Sequence, residues 1–168
     1  MLRDTLYRLD RWLQGHRPEC WRSLLPGATQ AELASLRKRL KMPVPRDLRG
    51  LLAWHNGQKL DSPARFEHDW LLMSGPRIVA AKRDLDADAA ATGWNKRWIP
   101  ALDDDAGDFL CLDTTRPKSP VRVFRLGQSF HRIVAPSLAA WLKRFVTDVE
   151  KGNYVEDEER GTFLRKRN

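Results

Sequence analysis

Residues 98–113 read WIPALDDDAGDFLCLD. Two short apolar runs, 98–102 and 108–113, are parted only by the polar stretch Asp103 to Gly107. A gap this short cannot hold a crossover, so the two runs are expected to be antiparallel strands joined by a turn. Gly107 supplies the positive φ that such a turn asks for. The hairpin then recruits its neighbours. VRVFRL at 121–126, FHRIV at 130–134 and WLLM at 70–73 have the same short apolar texture and also read as strands.

Helices flank this strand region. Leu6, Leu9, Trp12 and Leu13 recur at helical spacing over 3–14, Gly15 reads as a stop, and Arg3, Arg8 and Arg11 fall on the outer face. In LPGATQAELASLRKRL, Thr29 and Glu32 form a capping box ahead of the stripe Leu33, Leu36, Leu40. Pro45 pre-sets φ for another helix, in RDLRGLLAWHNG, whose inward face is Leu48, Leu51 and Leu52. Asn56-Gly57 reads as its left-handed C-cap. PRIVAAKRDLDADAAA reads as a helix, and Ser137 caps a last one carrying Leu138, Trp141, Leu142, Phe145 and Val149, closed by Gly152.

Helices, then consecutive strands, then a helix predict an α+β fold. It is a single domain with a mostly antiparallel sheet of about four to six strands and helices packed on one face. Residues 1–152 form the domain, opening with the N-terminal amphipathic helix, and 153–168 are read as a frayed, charged tail. With 168 residues and 42% hydrophobic content the chain can bury a core without staples.

The net charge of +8 is unevenly placed. Residues 1–60 hold 12 Lys/Arg against 5 Asp/Glu, while 61–168 hold 18 against 17. The basic character therefore sits in the N-terminal third, where it could draw nucleic acid, anionic lipid or an acidic protein. The RKRLK run at 37–41 is its densest part, but Leu36 and Leu40 are claimed by the core, and no zinc finger or RRM-type aromatic motif accompanies it. The charged N-terminus lacks the apolar core of a Sec signal, and no apolar run approaches the ~20 residues of a membrane span. A cytoplasmic protein without membrane association is expected.

The candidate chemistry is sparse. DDDAGD at 103–108 clusters carboxylates, yet three are consecutive and Thr114 stands where an EF-hand would place its glutamate, so a turn explains it better than a metal site. Cys20 and Cys111 have no ligand partner at metal spacing, and Cys111 in FLCL reads as a buried free thiol. His16, His55, His68 and His131 sit in none of the nucleophile or zinc motifs, and no phosphate-binding glycine loop is present. His55, one turn after Leu51, reads as a packed or cap-bonded side chain. No catalytic residue, metal or cofactor is expected.

Three blocks in order resemble the SUKH superfamily, named for the yeast cell-wall-synthesis regulator of the Smi/Knr type. The first is LPGATQAELASLRKRLKMPVPRDLRGLLAWHNGQ at 25–58, with Pro26, Glu32, Leu33, Pro45, Leu48, His55, Asn56 and Gly57 at landmark positions. The second is WNKRWIPALDDDAGDFLCLD at 94–113, with Trp98, Pro100, Gly107, Leu112 and Asp113. The third is the closing helix, APSLAAWLKRFV at 135–146, and together they span most of residues 22–151. The resemblance implies a non-enzymatic domain that works by binding protein. Bacterial members neutralise toxins of contact-dependent, type VI or other polymorphic systems as immunity proteins, and eukaryotic members act as regulatory scaffolds. It implies structural roles for the landmarks and brings no catalytic residues. The positive charge departs from the acidic habit of nuclease immunity proteins, so an acidic patch on the partner is expected. A scaffold without a toxin partner and a nucleic-acid-binding module are the alternatives.

Overall fold

The computed structural model describes residues 2–166. Four helices come first: α1 (Leu2–His16), α2 (Pro18–Ser23), α3 (Gln30–Leu40) and α4 (Arg46–Trp54). Then follow β1 (Leu71–Leu72), α5 (Gly75–Ala87), α6 (Ala89–Thr92), β2 (Trp98–Asp103), β3 (Phe109–Asp113), β4 (Val121–Phe124) and β5 (Ile133–Ala135). The chain closes with α7 (Leu138–Glu150), β6 (Tyr154–Asp157) and β7 (Thr162–Arg165).

The fold is α+β, as expected. The main sheet has five antiparallel strands in the order β1-β2-β3-β4-β5. Its centre is the 98–113 hairpin, where Trp98 faces Asp113 and Ile99 faces Leu112. The register slips between Pro100 and Leu102. Proline has no N–H to give the ladder, and a bulge is where a strand tolerates that. Gly107 takes φ +102 as expected, and Asp105 is also left-handed at φ +61. Asp104 stabilises the turn by accepting from the Ala106 and Asp108 amides at 2.8 and 3.0 Å.

Alternation splits the sheet into two faces. Ile99, Leu102, Leu110, Leu112 and Val121 join the main core with α1, α4 and α7. On the other face Trp98, Cys111 and Phe124 form a small cluster with Trp94, backed by Leu85 of α5. Each large apolar side chain fully buried in this way is worth roughly 1.5–3 kcal/mol. The helical stripes are as spaced: Leu6, Leu9 and Leu13 of α1, Leu48, Leu51 and Leu52 of α4, and Trp141, Leu142 and Phe145 of α7 are buried. Thr29 and Glu32 make the full capping box, with Thr29 N–H donating to Glu32 Oε2 at 2.7 Å. Ser137 caps α7 by accepting from Ala140 N–H.

The structure departs from expectation at several places. Gly15 does not stop α1, which runs to His16. The expected helix over 76–91 breaks at Asp88 into α5 and α6. The strand expected at 130–134 lies at 133–135, and Phe130 is exposed. The tail is not frayed. Residues 154–165 form the β6–β7 hairpin, with Phe163 buried in the main core. Phe163 stacks on Tyr154 with ring centroids 4.9 Å apart, and the Arg17 guanidinium covers its ring at 4.0 Å. Arg17 also pairs with Glu156 at 2.8 Å, and His68 and Phe163 exchange two backbone bonds. An aromatic pinned by a cation, a sheet bridge and a core contact overcomes the fraying that charge alone suggested.

Candidate functional site

The landmark residues fall into two groups, and both are built into the scaffold. Trp98, Pro100, Leu112 and Asp113 are buried in the sheet, and Gly107 makes its turn. Asp113 accepts from Arg122 Nη2 at 2.7 Å and from the Thr115 hydroxyl and amide. Burial alone would raise its pKa, but the bonds from Thr115 and Arg122 outweigh it and hold the carboxyl below its usual range. The Arg122 guanidinium lies 5.0 Å from the Trp98 ring centre and donates to the His131 carbonyl. Burial, then the nearby Arg122 charge, lowers the pKa of His131.

The other group ties the 24–28 segment to the end of α4. Pro26 C=O accepts from Asn56 N–H at 3.0 Å. Asn56 Oδ1 accepts from Gly75 N–H at 2.8 Å, at the start of α5. Pro45 is the N-cap of α4, Leu48 is fully buried, and Leu33 is half-buried on α3. The expected C-cap is corrected here. The residue after α4 is His55, in extended conformation at φ −143, and Gly57 follows two residues later at φ +89. A Cβ on Gly57 would lie 2.4 Å from Ser74 N, so close backbone approach, not helix termination, requires glycine there. His55 itself is bonded twice, Nδ1 to Leu25 C=O at 2.6 Å and Nε2 to Asp10 at 3.3 Å. It is packed and bonded, as expected.

The acidic cluster at 103–108 is used within the protein. Arg77 bonds both Asp103 and Asp105, Arg65 bonds Asp105, and Arg125 bonds Asp108. Burial pushes Asp103 up to about 6 against the pull of Arg77. Among the described residues, no group of three or more His, Cys, Asp or Glu could hold a metal ion. Cys20 and Cys111 are free and buried, and burial raises both thiols.

The surface feature that stands apart is a groove of about 2030 Å³ between α1, α3 and α4. Arg46, Arg49, Gly50 and Ala53 line its floor at helical spacing along α4. Leu2, Leu6 and Tyr7 of α1 form one wall, and Leu33, Ala34, Arg37 and Lys38 of α3 form the other. The 41–45 linker and Trp54 complete it. Six cations line the groove: Arg3, Arg37, Lys38, Lys41, Arg46 and Arg49. None of the six has a side-chain partner among the described residues. Its two carboxylates are already committed. Asp10 accepts from Gln14 and Trp21 and lies 3.3 Å from His55 Nε2, and Asp47 accepts from Ala139 N–H at the start of α7. Sequence reasoning located the basic third but not the groove. The signal was there in Arg46, Arg49, Gly50 and Ala53, a polar and small-residue face opposite the leucines.

The fold and this site define a class: an α+β domain that presents a basic groove between its N-terminal helices. The SMI1 / KNR4 family (SUKH-1) model matches residues 27–144, and the chain belongs to that family. Comparison with the curated proteins finds no match. The matched span leaves out α1 and the β6–β7 hairpin, yet both pack into the same core. No helix among the described residues is long and apolar enough to cross a membrane.

Proposed function

We propose that this chain is a non-enzymatic protein-binding domain, an immunity protein that neutralises a cognate bacterial toxin by binding and occluding it. The observation that carries the reading is the groove: six cations with no side-chain partner among the described residues, beside apolar side chains, in a member of the SUKH-1 family. A surface of this kind is electrostatically incomplete until an acidic protein face covers it. Buried aromatic and aliphatic contacts would supply affinity, and the cations would supply register and on-rate. The partner carries an acidic patch, and the chain acts in the cytoplasm before the toxin reaches its target.

Co-expression with the toxin encoded by the adjacent gene tests this. Protection of the cell and a stoichiometric complex in a pull-down are expected. No protection and no complex overturn it, and a complex without toxicity points to the regulatory-scaffold alternative. The same cations favour nucleic acid as a second reading. A duplex whose affinity falls steeply with salt would establish it, and no binding at low salt would remove it.

A further inference from the structure

We infer that the groove between α1, α3 and α4 receives an acidic amphipathic helix of the protein partner. The inference rests on the protein-binding reading and specifies its occupant. Three observations carry it.

The first is charge. Arg37, Lys38, Arg46 and Arg49 line one groove and have no ion-pair partner among the described residues, and the two carboxylates of the lining, Asp10 and Asp47, are bonded to other groups. An occupant with carboxylates on its outer flanks satisfies them, and the charge complementarity fixes its sign.

The second is the backbone. The groove is lined by α1, α2, α3, α4, the linker at 41–45 and a residue of α7, and no strand edge of either sheet lies in it. An extended segment pressed into it would find no ladder to join, leaving its N–H and C=O groups unsatisfied. A helix satisfies its own backbone and can bury an apolar stripe.

The third is shape. Ala53 is exposed on the floor, Gly50 lets Leu2 of α1 pack closely on α4, and Leu33, Met42 and Trp54 are half-buried beside it. The walls, α1 of 15 residues and α3 of 11, run about 22 and 16 Å, so a helix of up to about 15 residues can lie along them. The occupant is thus a helix of about four turns with an apolar stripe on the floor and Glu or Asp on both shoulders.

The test is an NMR titration of the ¹⁵N-labelled full chain with an α-helical peptide of about 15 residues. The peptide has leucines recurring at every third and fourth position along one face, glutamates on the two flanks and alanines elsewhere. A lysine twin, a scrambled glutamate peptide and a DNA duplex are titrated alongside. Saturable amide shifts confined to α1, α3, α4 and 41–45 are expected for the glutamate peptide alone. The double substitution Arg46→Glu with Arg49→Glu should weaken binding by about tenfold or more. Ala53→Trp, at an exposed position, should abolish binding by filling the floor while leaving the charge unchanged. Thermal melts of both variants check that the fold is kept. No shifts at millimolar peptide, equal shifts from the scrambled peptide, or tighter binding of the duplex at the same residues would overturn the inference. If the peptide fails while the adjacent toxin still binds, the groove assignment is wrong and the protein-binding reading stands. If the peptide binds and the toxin does not, the groove assignment stands and the immunity role falls, leaving the regulatory-scaffold alternative.

Discussion

Arg46 and Arg49 stand on the outer face of α4 with no side-chain partner among the described residues, whereas Arg77 and Arg122 beside the sheet are each held by a buried carboxylate. The contrast extends across the molecule. Arg17 of the N-terminal third pairs with Glu156, and Arg8 with Glu150, only because they reach the C-terminal part. Where cations meet carboxylates, charge is spent on architecture. Around the groove it is left open for something outside the chain. An ion pair already satisfied offers little to a partner, and a cation held without one attracts it.

Substitutions in the two regions should therefore fail in different ways. The largest expected effect lies in the hairpin that docks by Arg17. Phe163→Ala should destabilise by about 3–5 kcal/mol, read from urea unfolding, because it removes a buried ring and uncovers Arg17. Asp113→Ala should cost about 3 kcal/mol by the same measurement, since it strands Arg122 with no counter-charge above Trp98. A fall much smaller than this would mean that the sheet's ion pairs are as dispensable as the groove's cations.

Asp103 sharpens the contrast through pH. Its folded pKa is raised from 3.8 to about 6, so between these values the folded chain binds more protons than the unfolded one. Its contribution therefore makes stability fall as pH rises from about 4 to about 6. Asp103→Asn should remove that slope in melts recorded across this window. His55→Gln should cost about 1 kcal/mol in urea unfolding, the order of a hydrogen bond. The smallest effect on stability belongs to Arg46→Glu with Arg49→Glu, within about 0.5 kcal/mol by thermal melt, although it should carry the largest loss of binding. If that variant unfolds instead, the groove cations are structural after all.

Local signals carried much of this fold. The Thr29–Glu32 box, the Ser137 cap and the turn at Gly107 each depend on residues within four positions of one another, so their chemistry is visible along the chain. The errors lay where the deciding neighbour was remote. Gly57 looked like a helix cap, but Ser74 sets its requirement. Residues 153–168 looked like a tail because their charge is local and their anchors, Arg17, Glu67 and His68, are some ninety or more residues away. Tyr154 donates to Glu67 at 2.7 Å, a contact no periodicity announces.

The sequence by itself determined most of the long helices, the hairpin that starts the sheet, the excess of positive charge in residues 1–60 and the family resemblance. Periodicity, capping and turn chemistry act over a few residues, and composition needs no coordinates. Only the tertiary structure decided which charges are used up and which remain. Arg17, Arg77 and Arg122 are paired with carboxylates brought from 139, 26 and 9 residues away, and Arg46 and Arg49 find none among the described residues. Free and bound cations are alike in sequence, and an ion pair is a matter of distance after folding.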